Sequence, residues 1–210
     1  MSKIVVAITG ASGVIYGVEL ANWLLVNDHQ VYLVLSEPAR LVLKSELDWD
    51  IDSRGLSAYF APGHLSCFDN QDIGAPIASG SFLYDGMVVA PCTMSTLAGI
   101  AQGTSNNLIE RAADVCLKEG RRLVLVPRET PLNKIHLRNM LAASEAGARI
   151  VPAMPAFYSG VEDIGDLVAF MVGKILDSLT IENNAYRRYS PAGYTGNLIG
   201  EQSSGEGDNE

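Results

Sequence analysis

Four short segments hold most of the side chains that could do chemistry, and each closes an apolar run. They are Thr9-Gly10-Ala11-Ser12-Gly13 after residues 4–8, Ser36-Glu37-Pro38 after 31–35, Pro91-Cys92-Thr93-Met94-Ser95-Thr96 after 87–90, and Pro127-Arg128-Glu129-Thr130 after 123–126. Small residues and hydroxyls beside a helix start are suited to an anion: the first amides of a helix point outward with unsatisfied N–H groups, and the helix dipole favours negative charge there. Ser12 and Ser36 can equally be plain helix caps. In the third segment Thr93, Ser95 and Thr96 supply three hydroxyls where a cap needs one, and this excess points to phosphate or flavin binding. Cys92 is either a nucleophile or a small buried residue, and no histidine is near it in sequence. Arg128-Glu129 is either a solvated ion pair or a pair facing a ligand, and its place at the end of an apolar run favours the second. Arg111 and Lys118 are seven residues apart, which puts them on one helix face. Tyr158 is a core residue or a phenolic donor.

These segments need elements that bring them together. Apolar runs of strand length alternate with stretches of helical period, which predicts an α/β fold with a parallel sheet whose strand ends share one edge. Val14, Val18, Ala21 and Leu25 mark a first helix, and Ala39, Val42, Leu43 and Leu47 a second, with Pro38 in its first turn. Further helices are predicted over 95–102, 107–118 and 133–146, the last stopped by Gly147. A final helix after Ser159 carries a broad stripe from Leu167 to Leu179, and a strand is expected over 149–153. Residues 48–81 read as a long irregular, functional insertion. No repeat or linker divides the chain, so 1–190 is expected to be one domain and 191–210 a partly disordered Gly/Ser-rich tail.

Composition removes several classes of function. The formal charge is −9, and four of the acidic residues (Glu201, Glu206, Asp208 and Glu210) lie in the tail, which argues against a nucleic-acid surface. No uncharged apolar stretch reaches membrane-spanning length and no signal segment opens the chain, so a cytoplasmic protein with no membrane partner is expected. The three cysteines show no C-x-x-C spacing and the three histidines are scattered, so neither a disulfide framework nor a metal site is expected.

Taken jointly, Thr-Gly-Ala-Ser-Gly at 9–13, Ala-Ser-Gly-Ser at 78–81, Pro-Cys-Thr at 91–93, Asn-Asn-Leu-Ile-Glu-Arg-Ala-Ala-Asp-Val at 106–115, Val-Pro-Arg-Glu-Thr-Pro-Leu at 126–132 and Pro-Ala-Phe-Tyr at 155–158 closely resemble the UbiX family of flavin prenyltransferases, whose members long carried the name of aromatic-acid decarboxylases. The resemblance runs from Lys3 to about Arg188. It implies a flavodoxin-like, Rossmann-type three-layer fold. It also implies transfer of a dimethylallyl group from dimethylallyl monophosphate to reduced FMN, giving the prenylated flavin used by UbiD-type decarboxylases, with ubiquinone biosynthesis as the pathway and no metal. By position, it implies FMN contacts at Gly10, Ala11, Ser12, Ser36, Thr93, Met94, Ser95, Thr96 and Arg128. It implies donor-phosphate contacts at Lys118, Arg128, Tyr158 and Lys174. Glu46 and Glu129 correspond to functional carboxylates, with Ser12 near flavin N5 and Tyr158 also in the catalytic set. Some members have arginine where Lys174 stands, and lysine keeps the charge but loses the planar fork.

Two rival readings have distinct signatures. An FMN-dependent decarboxylase of cysteinyl substrates is expected to carry Asn after Pro-Ala-Met and a catalytic His, whereas here Met154 is followed by Pro155. A non-catalytic flavin carrier leaves Lys118, Arg128, Glu129, Tyr158 and Lys174 without a purpose. The wide stripe of the last helix and the unpartnered Arg187-Arg188 predict self-association. The family resemblance implies a homo-oligomer, a dodecamer with its sites at subunit junctions.

Overall fold

The computed structural model describes residues 1–157 and 161–188. Tyr158, the expected domain end at 190 and the tail 191–210 lie outside the described residues. Strands β1 (Lys3–Ile8), β2 (Gln30–Leu35), β3 (Leu65–Asp69), β4 (Gly86–Cys92), β5 (Arg122–Pro127) and β6 (Arg149–Ile150) form one six-stranded sheet in the order β3-β2-β1-β4-β5-β6, with every pairing parallel. This is the Rossmann order, and the five strands without β3 follow the flavodoxin order. In both, the order reverses between β1 and β4, and ligands of such sheets bind in the crevice outside that point.

The helices are α1 (Val14–Val26), α2 (Glu37–Leu47), α3 (Ile51–Arg54), α4 (Met94–Gln102), α5 (Leu108–Lys118), α6 (Lys134–Glu145) and α7 (Ile164–Ser178). Successive strand residues point to opposite faces, so β1 divides its side chains between two cores. Ile4, Val6 and Ile8 pack with α1, α2 and α7, while Val5 and Ala7 pack with α4, α5 and α6. Both faces are covered, which is why the strands read as continuous apolar runs rather than alternating ones. Gly17 brings α1 onto the switch point: a Cβ there would lie 2.1 Å from the Ala90 carbonyl oxygen and 2.8 Å from Ile8 Cγ1.

Some sequence expectations need correction. Residues 48–81 contain α3, β3 and two 3-10 turns (Leu56–Tyr59 and Pro76–Ala78) rather than an unstructured insertion. Strand β3 is an edge strand of half-exposed residues, so it lacks the apolar run that marks the central strands. Helix α7 starts at Ile164 with Asp163 as its cap, and its stripe (Val168, Met171, Val172, Ile175, Leu176) is buried inside the subunit and so gives no reason for self-association. Arg188 also has a partner within its own subunit, donating to the Asp177 carboxylate at 2.6 and 3.0 Å. The outward apolar face belongs instead to α6, whose one buried residue is Ala143, while Ile135, Leu137 and Leu141 are exposed by 64, 52 and 60%.

Candidate functional site

The loops after β1, β2, β4 and β5 meet at the carboxyl edge, and bonds between residues far apart in sequence fix them there. Thr9, which is buried, donates its hydroxyl to the Pro91 carbonyl at 2.7 Å and accepts from the Thr93 amide at 2.9 Å. Pro91 itself has no N–H, and the β4–β5 register shifts between Val89 and Cys92. The Ser36 amide donates to the Ile8 carbonyl at 3.0 Å. Gly10 is required by this crowding, since a Cβ there would lie 2.3 Å from Pro38 Cβ. Arg128 Nε donates to the Ser12 carbonyl at 3.1 Å, tying the end of β5 to the loop after β1.

Three of the helices that start at this edge, α1, α2 and α4, are capped differently. Ser36 accepts from the Ala39 amide at 3.2 Å and Thr93 from the Thr96 amide at 3.2 Å, as capping residues do. Ser12 does not cap α1. The cap position is Gly13, in the left-handed region at φ 91°, and the acceptor is the Glu46 carboxylate from α2. Its oxygens receive the Gly13 amide at 3.0 and 3.2 Å and the Val14 amide at 3.2 Å. Two of the amides that the sequence offers to an anion are therefore already bound, while the exposed Ser12 hydroxyl is left for something else.

What remains at the edge is a set of donors. A capping hydroxyl uses its lone pairs and keeps its proton, so Ser36 can still donate. Thr93 donates to Thr96 Oγ1 at 3.0 Å, which leaves the Thr96 proton available. Ser95 is exposed and Met94 is half-buried beside it. The Arg128 guanidinium uses Nε on the loop and keeps both terminal nitrogens, the fork that grips a phosphate. Glu129 is exposed, and one of its oxygens accepts from the Thr130 amide at 3.0 Å. Hydroxyl donors, helix starts and one oriented guanidinium fit the phosphate and polar ring edge of FMN. Cys92 does not take part: it is fully buried, and burial pushes its thiol well above the ordinary range, so it is a packing residue rather than a nucleophile.

The other predicted residues stand elsewhere. Lys118 ends α5 and Arg122 begins β5, so Lys118 lies at the amino edge, paired with Glu119 and beside Gly80. Arg111, two turns earlier on the same face of α5, is bound to Asp114 at 2.8 Å. Lys174 is exposed in the last turns of α7, near where the Ser178 carbonyl accepts from Arg149, the first residue of β6. The length of β4 separates the two edges by about 20 Å. Within one subunit Lys118 and Lys174 therefore do not meet Ser12 and Arg128. Sequence reasoning missed Thr9 as the staple between the loops. Its one signal is a hydroxyl at the end of an apolar run, a position that many capping residues share.

Among the described residues there is no cluster of three His, Cys, Asp or Glu side chains able to hold a metal, and no helix is long and apolar enough to cross a membrane. The family model described as Flavoprotein matches residues 1–176. A flavin prenyltransferase UbiX from Alkalihalophilus pseudofirmus is 52% identical over 188 residues, covering 88% of this chain and 94% of its own. The crystal structure of AnUbiX (PadA1) in complex with FMN and dimethylallyl pyrophosphate superposes with a TM-score of 0.84 at 43% identity, covering 90% of this chain and 97% of that one. A dodecameric FMN-dependent UbiX-like decarboxylase from Escherichia coli O157:H7 gives a TM-score of 0.82 at 43% identity, covering 90 and 99%.

Proposed function

This chain belongs to the UbiX-type flavin prenyltransferases of the Flavoprotein family, and from that premise we propose that it joins the dimethylallyl group of dimethylallyl monophosphate to N5 and C6 of reduced FMN, releasing phosphate. The product is the prenylated flavin consumed by a UbiD-type decarboxylase. The observation that carries the reading is the laced carboxyl edge, where Ser12 is excused from capping by Glu46 and Arg128 keeps its phosphate-gripping fork.

Reduced flavin, when bound, supplies the two nucleophilic positions. The chain's own task is to hold the leaving phosphate, orient the ring and take one proton. Gly10, Ala11, Ser12, Ser36, Thr93 to Thr96 and Arg128 form the flavin cradle. Lys118, Arg128, Tyr158 and Lys174 stabilise the departing phosphate through charge-assisted hydrogen bonds, which act most strongly as charge develops on the leaving oxygen. Glu129 accepts the proton lost from C6, since its exposed carboxylate has one oxygen uncommitted. Glu46 keeps the α1 start, and with it Ser12, in register with the ring.

Because the length of a strand, about 20 Å, separates the edge that carries Arg128 from the one toward which Lys118 and Lys174 lie, neighbouring copies supply these two. A dodecamer with its sites at subunit junctions meets that requirement, and the exposed apolar face of α6 gives copies a surface on which to associate. We take residues 1–190 as one FMN-binding domain acting in the cytoplasm, with ubiquinone biosynthesis as the pathway served. The test is anaerobic incubation with reduced FMN and dimethylallyl monophosphate, followed by mass spectrometry of the extracted flavin. A flavin heavier by one dimethylallyl group is expected, and unchanged FMN would overturn the proposal. Running the pyrophosphate in parallel shows which donor is used.

A further inference from the structure

Lys118 belongs to the donor-phosphate set proposed above, yet it is exposed on a flexible four-carbon stem, and its pairing with Glu119 is of the surface kind that holds a side chain weakly. What it rests against is better ordered. The turn from α5 into β5, residues 118–121, closes on Gly80 from two sides. Lys118 and Glu119 lie against the Gly80 α-carbon, since a Cβ there would fall 2.8 Å from Lys118 Nζ and 2.2 Å from Glu119 Oε1. From the same turn, Arg121 donates Nη2 to the Gly80 carbonyl at 2.7 Å.

Arg121 is itself held in place. Its guanidinium lies over the Tyr84 ring, with Cζ 4.2 Å from the centroid, a stacking that suits a planar cation. Tyr84 is buried and donates its hydroxyl to the Ala112 carbonyl of α5 at 3.0 Å. The Arg121 amide donates to the Cys116 carbonyl at 2.8 Å, and the Asp85 amide to the Lys3 carbonyl at 2.8 Å, so the segment 79–85 and the turn are both fixed at the amino edge. Stability alone does not account for an arginine here. Arg121 Nη1 is buried and has no partner among the described residues. A buried guanidinium nitrogen left unpaired costs stability that an apolar side chain over the same ring would not lose. The one side-chain hydrogen bond that Arg121 does make goes to the backbone on which Lys118 rests.

We propose that Arg121 is a positioning residue for the prenyl donor: by fixing the Gly80 carbonyl it holds the 79–81 turn as a stop behind the Lys118 ammonium, so that this charge meets the phosphate in one place. The inference rests on the assignment of Lys118 to the donor set. Arg121 acts through Lys118, and Tyr84 acts through Arg121.

Calorimetric binding of dimethylallyl monophosphate to the FMN-loaded protein reads this role without any need for turnover. Arg121→Met keeps an unbranched chain over Tyr84 and removes the donor group. It is expected to weaken donor binding by about three- to tenfold, the net worth of one hydrogen bond, with FMN affinity unchanged. Arg121→Lys should recover part of the loss, since an ammonium can reach the carbonyl but lacks the planar stack. A double-mutant cycle separates positioning from a plain fold effect. In a Lys118→Ala background, Arg121→Met should cost donor binding nothing further; an equal loss in both backgrounds overturns the proposal, as does unchanged binding in Arg121→Met alone. Should Arg121→Met fail to fold, Gly80→Ala displaces the Lys118–Glu119 pair directly and should show the same loss and the same absence of any addition to Lys118→Ala; normal donor binding in Gly80→Ala overturns the proposal. Normal binding in Lys118→Ala removes Lys118 from the donor set, and the role of Arg121 falls with it. The expected binding pattern in a protein that makes no prenylated flavin would instead overturn the reaction and leave the positioning role standing.

Discussion

The two edges of the sheet are organised in opposite ways. At the carboxyl edge every loop is fixed by a partner distant in sequence: Thr9 by Pro91 and Thr93, Gly13 by Glu46, and Ser12 by Arg128. At the amino edge Lys118 pairs with its neighbour Glu119, and the Lys174 ammonium has no partner among the described residues. The comparison separates two tasks. A planar ring must be held in one orientation before reaction, so its half of the site is pre-organised within one chain. A phosphate leaving group needs positive charge from several directions, and cations carried on the outside of a subunit can deliver it when copies assemble.

Four experiments bear on this contrast, in falling order of effect. Glu129→Gln keeps the shape of the carboxyl edge and removes the base, so anaerobic single-turnover formation of prenylated flavin should slow by about 10²–10⁴-fold with FMN binding unchanged. If FMN affinity falls as well, Glu129 is part of the cradle. Lys118→Ala and Lys174→Ala should each weaken dimethylallyl monophosphate binding by about 1.5–3 kcal/mol and spare FMN. Co-assembly of Lys118→Ala chains with Glu129→Gln chains should regain part of the activity that each lacks alone. No regain in the mixed oligomer would mean that each chain acts only on its own site.

The third experiment sets one helix start against another. Glu46→Ala leaves the Gly13 and Val14 amides without their acceptor and should cost about 1–2 kcal/mol in urea unfolding while weakening FMN binding. Ser36→Ala removes a local cap and should cost about 1 kcal/mol or less. Equal effects on flavin would remove the special role given to the remote cap. The smallest effect concerns acid. Hydrogen bonding from Arg188, aided by Tyr186 and Asn183, holds the Asp177 carboxyl at about 2, below its usual 3.8. A depressed carboxyl contributes stability that is complete above the usual value and is lost as pH falls from about 4 toward 2. The site is solvent-facing, so screening keeps the contribution below about 1 kcal/mol, and Asp177→Asn should flatten acid unfolding in that window.

The central strands and the helices packed on them were legible because each is a long periodic pattern. The four strand-end loops were legible because strand polarity alone brings them to one edge. Strand β3 was not, since an edge strand with one neighbour needs no continuous apolar run. Family resemblance singled out Glu46 as a functional carboxylate, but its place as the cap of α1 had no signal in the sequence. Thirty-three residues separate it from Gly13, and no local pattern marks a cap delivered from another helix. The apolar stripe of α7 misled for a related reason, because hydropathy gives the width of a face and not whether the covering surface belongs to the same chain. The separation of Lys118 from Arg128 follows from one strand's length: β5 lies between them in sequence, so they stand at opposite edges whatever the strand order.

Gly17 has no polar atom and touches no proposed ligand contact, yet it governs where Ser12 stands. A single methyl group at that position collides with the Ala90 carbonyl, so α1 must lift from the sheet or tilt. Position 17 lies one turn, about 6 Å, along the helix from Gly13, and a helix moves as a rigid rod. The lift is therefore transmitted to the Glu46 clasp and to the Ser12 loop, as a lever passes motion from its fulcrum to its tip. A hydrogen atom in place of a side chain, deep under the first helix, thus acts as a shim that sets the height of the Ser12 loop. A random search for variants with altered flavin affinity should return this position alongside the hydroxyls of the proposed cradle.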